Sequence, residues 1–263
     1  MFRPSTTSTM LCSTWALSAA NFGFLSPITI AALVVPWFIY QSYVAAITAD
    51  DKTLDAVCPA NTIIIFDLHG VLFRSDFLGM IKLILFSPCA GKVFLHIINP
   101  FFLYDIFKLY SHSYITEYWI LFLCKKYSSL QPCLPLFLRA ANLQIPSWKT
   151  IHLVHQLKDM GYALHLFSNI GPNLFADLEA QYPEVFLPFD AICIGSAENN
   201  YLGKPHPSAF HRYIVTHPSH GKQRLLIDNR ARNIAFARAF HIAGIRYRSA
   251  ASLQRWFKAH GIL

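Results

Sequence analysis

Charge is what this chain has least of. Asp, Glu, Lys and Arg make up only 14% of its 263 residues, where a soluble globular chain carries about 25%. Between Arg3 and Asp50 there is no charged residue at all. Such a shortfall implies a membrane segment, an unusually apolar surface, or both. The charge that is present leans positive, with 22 Lys and Arg against 14 Asp and Glu and a formal net charge of +8. Those basic residues are scattered and form no run interleaved with aromatics, which argues against nucleic acid as a partner. Anionic substrates or an anionic membrane face remain compatible with the balance. Zinc-ligand spacing is missing too: the six cysteines form no C-x-x-C pair and none sits in register with histidine. They read as small buried hydrophobes, which favours a reducing compartment.

Apolar residues fill the space that charge leaves, at 54% of the chain. The first concentration lies in residues 1–50. A bilayer core about 30 Å deep needs roughly 20 apolar residues as a helix, and Ile28 to Ala49 has that length, with Ile28, Leu33, Val34, Val35, Phe38, Ile39 and Val44 among its members. Residues 1–50 are therefore expected to be a transmembrane anchor, making the protein membrane-associated with its main domain on the cytoplasmic side. A cleaved targeting segment and an extra buried helix are the alternative readings.

Beyond Asp50-Asp51-Lys52 the pattern becomes one of short buried strands alternating with helices. Ile63 to Phe66, Ala163 to Phe167, Ala191 to Ile194 and Leu225 to Ile227 are continuous apolar runs of strand length. Helical stretches fall at Trp148 to Met160, Pro172 to Gln181, Pro207 to Thr216 and Ala231 to Phe240, and a last strand and helix follow from Gly244. This alternation predicts an α/β fold with a Rossmann-like parallel sheet. Residues 51–75 and 147–263 are assigned to that core. Residues 76–146 do not alternate: they are aromatic, poor in charge and punctuated by Pro88, Pro100, Pro132 and Pro135. They read as an inserted helical domain. Two readings of its apolar character stay open, a helical core burying its own faces and a surface that rests on a bilayer or receives an apolar substrate.

Four polar centres follow the strands or a turn: Asp67 in Ile-Ile-Ile-Phe-Asp-Leu-His-Gly-Val, Ser168-Asn169, Lys204 in Gly-Lys-Pro-His-Pro, and Asp228-Asn229. Parallel sheets bind ligands at the carboxyl ends of their strands, so the architecture itself predicts that these groups converge. A strand-end carboxylate such as Asp67 is a competent nucleophile toward phosphorus. Ser168 and Asn169 offer donors for charge that develops during transfer. The Lys204 ammonium can offset negative charge on Asp67 and on a phosphate. Arg74 and Arg230, near two of the motifs, are candidates for holding a substrate phosphate.

The order and spacing of the four segments resemble the haloacid dehalogenase superfamily, over roughly Asn61 to Leu263. The resemblance implies a magnesium-dependent hydrolase acting on a small phosphorylated substrate, apolar or lipid-like ones included. Asp67 would be the nucleophile and carry an aspartyl-phosphate. Ser168 and Lys204 would hold the phosphoryl group, and residues 76–146 would be a small cap over the site. Asp67, Asp228 and the backbone carbonyl of His69 would ligate Mg²⁺. Asn229 stands where many relatives have another aspartate, and Asn233 matches the asparagine of Asp-Asp-x-x-x-Asn. One position departs from the pattern: the residue that usually protonates the leaving oxygen and then activates water is a second aspartate, and here it is His69. Imidazole can serve as acid or base in principle. The resemblance also admits a non-phosphatase hydrolase such as a dehalogenase, and a catalytically silent protein that keeps the fold and binds a membrane or partner.

Overall fold

The computed structural model of the chain describes residues 57–263; the anchor expected over residues 1–50 lies outside them. Five parallel strands form the central sheet: β1 (Thr62–Phe66), β4 (Ala163–Phe167), β5 (Ala191–Cys193), β6 (Gln223–Asp228) and β7 (Ile242–Arg246), in the order β5-β4-β1-β6-β7. β1 is the central strand because it is apolar on both faces. All five of its residues are buried, and side chains alternate between the faces with a period of two. Ile64 and Phe66 join one core, with Leu164, Leu166 and Ile227. Ile63 and Ile65 join the other, with Phe167 and Leu226. A strand with one polar face could not occupy that place.

Helices cover both faces, as the doubly wound pattern requires. α6 (Trp148–Asp159), α7 (Pro172–Gln181) and α11 (Ala250–Ala259) pack Leu157, Leu178 and Phe257 into the first core. α9 (Pro207–Thr216) and α10 (Ala231–Arg238) pack Phe210, Tyr213 and Ala237 into the second. Burying each large side chain contributes about 1.5–3 kcal/mol, and truncating Ile64 to alanine would cost about 2–5 kcal/mol. The short helix α8 (Pro183–Phe186) adds Val185 and Phe186 to the first core, with Phe186 against Phe73 and Phe175.

The chain leaves this core through β2 (Phe73–Ser75) and returns through β3 (Gln144–Pro146), which pair antiparallel with Arg74 opposite Ile145. Neither three-residue strand was legible in the sequence, being too short for any period. Between them lie α1 (Phe77–Leu85), α2 (Ala90–Ile97), α3 (Pro100–Ser111), α4 (Thr116–Lys126), a 3₁₀ turn (Ser128–Cys133) and α5 (Leu134–Ala141). The helices share a small core of Val93, Phe102, Cys124 and Leu130. Several contacts tie them to the sheet domain. The turn between α3 and α4 hydrogen-bonds the loop before Lys204, from Ile115 N to Tyr201 O at 2.9 Å and from Gly203 N to Ser113 O at 2.7 Å. Glu117, buried in α4, accepts from Asn173 Nδ2 at 2.6 Å and from Leu174 N at 3.2 Å, where α7 begins.

Candidate active site

Asp67 is placed by β1. Its backbone N–H continues the ladder to Ile227 O at 2.9 Å, so its carboxylate projects from the carboxyl edge of the sheet's central strand. Asp228 is the last residue of β6 beside it. Ser168 follows β4 on the other side, its N–H bound to Cys193 O at 2.9 Å. Lys204 arrives from the loop after β5. The four centres therefore meet at one edge because four neighbouring parallel strands end there.

Lys204 is the hub. Its ammonium donates to Asp67 Oδ1 at 3.0 Å, to Asp228 Oδ2 at 2.9 Å and to the carbonyl of Phe167, so all three protons are used. It is 2% exposed. Burial alone would lower its pKa, but Asp228 and Asp67 outweigh that and hold it above the ordinary lysine value. Asp67 goes the other way: burial, then repulsion from Asp228, push its carboxyl up to about 6 despite Lys204. One buried ammonium thus faces two buried carboxylates, and the cluster is short of positive charge.

Asp228 is fully buried and shapes the loop that follows it. Its Oδ1 accepts from Arg230 N at 2.8 Å, and its Oδ2 accepts from Asn233 Nδ2 at 2.8 Å as well as from Lys204. Asn233 is thereby a positioning group for Asp228. Arg230 is exposed, yet its charge acts on both Asp67 and His69, which places it at the mouth. Arg74 is exposed on β2 and joins no hydrogen bond or ion pair of this cluster. Asn169, expected to face a substrate, has its amide engaged elsewhere: Oδ1 accepts from Lys204 N and Nδ2 donates to Lys204 O. It orients the lysine.

His69 sits half-buried in the turn after β1. Burial lowers its pKa to about 4, helped by the charges of Arg230 and Lys204, so the ring is neutral at pH 7. The turn depends on Gly70, whose φ of 82° suits glycine; a Cβ there would stand 2.0 Å from Asn229 Nδ2.

Three buried polar atoms at this edge, Ser168 Oγ, Asn229 Oδ1 and Asn233 Oδ1, have no hydrogen-bond partner among the described residues. Orphaned buried groups are uncommon and call for a ligand, ion or water. Asp67 and Asp228 are the carboxylates that could hold a cation, and among the described residues no three His, Cys, Asp or Glu side chains are placed to hold a metal ion together. Two carboxylates suffice for Mg²⁺, which usually takes one or two and fills its remaining positions with water and substrate oxygens. The donor set and the charge imbalance fit that ion.

No protein-family model matches the chain, and no curated protein does. Solved structures do. The chain is similar to L-2-haloacid dehalogenase from Xanthobacter autotrophicus with chloropropionic acid covalently bound, at 15% identity and TM-score 0.52 over 79% of this chain and 85% of that one. It is similar to the HAD family enzyme bt-2542 from Bacteroides thetaiotaomicron, at 17% identity and TM-score 0.54 over 75% and 98%. YfnB from Bacillus subtilis bound to magnesium matches at 13% and 0.51 over 77% and 99%. The fold is that of the haloacid dehalogenase superfamily.

Within that fold the insertion between β2 and β3 separates the Asp67 and Ser168 segments in sequence, and β1 with β4 brings them back together. Glu117, which joins the insertion to the start of α7, is a residue the sequence pattern did not single out. Its signal was present: it is one of only two acids between Phe77 and Ala141, and an isolated acid in apolar sequence needs a partner when buried.

Proposed function

We propose that the protein is a Mg²⁺-dependent phosphatase acting on a phosphomonoester through an aspartyl-phosphate on Asp67. The observation that carries this reading is the buried Asp67–Lys204–Asp228 array with the unpartnered Ser168 Oγ beside it. Asp67, Asp228 and the carbonyl of His69 would hold Mg²⁺, which supplies the positive charge that a phosphoryl group and two carboxylates together demand. The Asp67 carboxylate attacks phosphorus and the ester oxygen departs. Lys204 and Ser168 hold the phosphoryl oxygens as charge builds on them. Neutral His69 then takes a proton from water, whose oxygen attacks the aspartyl-phosphate, releasing phosphate and freeing Asp67.

A histidine that is neutral at pH 7 has no proton to give the departing oxygen. The first step then favours substrates whose leaving groups depart as stable anions, aryl phosphates and acyl phosphate anhydrides above alkyl esters. The same fact supports a second reading, in which Asp67 displaces halide from carbon, since halide leaves without a proton. The dehalogenase from Xanthobacter autotrophicus shares the fold.

One experiment separates them: phosphate release from aryl, acyl and alkyl phosphates with and without Mg²⁺, beside halide release from 2-haloacids, with Asp67→Asn as control. Metal-dependent phosphate release that Asp67→Asn abolishes supports the phosphatase. Halide release without phosphate release overturns it. Silence of the parent on every compound, with Asp67→Asn equally folded, counts for a non-catalytic protein that uses the fold for binding.

A further inference from the structure

The helical insertion leaves uncovered much of the apolar surface its sequence supplies. Helix α1 buries none of its nine residues. Phe77, Leu78, Ile81 and Leu85 are all exposed, and at 100° per residue they lie within one stripe of that helix. Phe86 at the turn is 87% exposed, and Phe94 and Leu95 of α2 and Phe101 of α3 are exposed as well. Exposed apolar patches on this scale mark an interaction surface.

The charge around the patch is one-sided. Between Phe77 and Ala141 the acids are Asp105 and Glu117, and both are buried and partnered, Asp105 by Lys126 and Tyr127 and Glu117 by Asn173. The bases Lys82, Lys92, Lys108, Lys125, Lys126 and Arg139 are all exposed. Asp76, just before the insertion's first helix, is half-buried and spends its carboxylate on the Gly79 N–H. An apolar face on an insertion whose exposed charges are all cations complements an anionic lipid surface, where apolar side chains enter the acyl boundary and ammonium groups meet headgroups. The shape agrees. At 1.5 Å per residue α1 and α2 are about 14 and 12 Å long, and the chain bends by 112° between them. Among the described residues no single helix is long and apolar enough to cross a membrane. Each helix is shorter than the hydrocarbon depth of one leaflet, about 15 Å.

We propose that the exposed faces of α1 and α2, with Phe86 at the turn between them, dock the protein into the surface leaflet of an anionic bilayer. The docking is a property of the insertion and holds whichever reaction the sheet edge performs. It is also distinct from any anchor in residues 1–50.

The test uses the full chain with vesicles of phosphatidylcholine alone or mixed with phosphatidylserine, each carrying a phospholipid with a diazirine-labelled acyl chain. After irradiation, mass spectrometry maps the lipid adducts. Adducts within residues 77–104 are expected, and the triple substitution Phe86→Asp, Phe94→Asp and Phe101→Asp should remove them with an unchanged thermal melt, since all three side chains are exposed. Lys82→Glu with Lys92→Glu should weaken binding to phosphatidylserine vesicles about thirtyfold or more and leave binding to phosphatidylcholine alone unchanged. Adducts confined to residues 1–50 would overturn the proposal. So would vesicle-bound protein with no lipid adduct in residues 77–104, which would show that something other than lipid covers the patch.

Discussion

Asn169 grips the backbone of Lys204 from both sides: its Oδ1 accepts from the lysine N–H at 2.7 Å, and its Nδ2 donates to the lysine carbonyl at 2.7 Å. The pair ties the loop after β5 to the end of β4. It fixes where the Lys204 ammonium enters the space between Asp67 and Asp228. Gly203 makes room for the grip, since a Cβ there would stand 2.5 Å from Asn169 Cγ.

Asn169→Ala should therefore act through Lys204. Two lost hydrogen bonds cost about 1–3 kcal/mol of stability, measured by urea denaturation. Gly203→Ala should produce a loss of the same kind from the other side of the contact. If Asn169→Ala instead raised KM alone with stability intact, the residue would be binding substrate directly.

Removing the lysine charge should be more damaging. Lys204→Met leaves Asp67 and Asp228 buried without their cation, a change that costs about 3–5 kcal/mol when one partner of a buried ion pair is removed. Adding Asp67→Asn to that variant should recover part of the loss at pH 7. Guanidinium melts of the two variants and the parent make the comparison.

The carboxyl of Asp67 gives a defined pH signature. Its folded pKa of about 6 lies above its ordinary 3.8, so the folded state holds this proton more tightly than the unfolded chain does. The metal-free protein should lose stability as pH rises from about 4 to about 6, by roughly 3 kcal/mol from this group. Above that range the contribution is flat. Asp67→Asn should abolish this component, and Mg²⁺ should offset it at pH 7 by raising Tm in the parent but not in Asp228→Asn. Chemical denaturation across pH, with and without the ion, is the measurement.

His69→Asp tests the departure from the family pattern. A general acid contributes about 10²–10⁴-fold to a step that needs it. The variant should therefore gain on alkyl phosphomonoesters by about tenfold or more while changing little on aryl phosphates. A uniform loss on both classes would show that His69 does more than receive a proton from water.

Glu117→Ala should loosen the insertion from the sheet domain. The carboxylate caps the first turn of α7, and losing such a cap costs about 0.5–2 kcal/mol. Limited proteolysis should show faster cleavage between Ser111 and Glu117, with Asp67 and Lys204 still in place by their hydrogen-bonded geometry.

The sheet was legible because a strand buried on both faces has to be apolar throughout, and Ile63 to Phe66 is. The other four strands carry shorter apolar stretches, such as Leu225 to Ile227 in β6, flanked by polar or half-buried residues, and the helices between them follow from length. β2 and β3 escaped because three residues carry no period, and their pairing joins positions 70 residues apart. The site was legible as residue types and as an edge. Whether a side chain faces the ligand or the backbone behind it was not, as Asn169 shows: an amide beside a serine reads the same in either case.

The sequence alone determined the order of buried strands, the four polar centres at their ends, and the histidine standing where an aspartate is usual. Each of these is local, written in a few consecutive residues. The tertiary structure decided the protonation and partnership of those centres. Asp67 is raised and His69 is neutral because burial and the charges of Asp228, Lys204 and Arg230 act across segments far apart in the chain. It also decided which apolar side chains are covered. Hydrophobicity is a property of a residue, but exposure depends on what packs against it, and nothing in the described structure packs against Phe86.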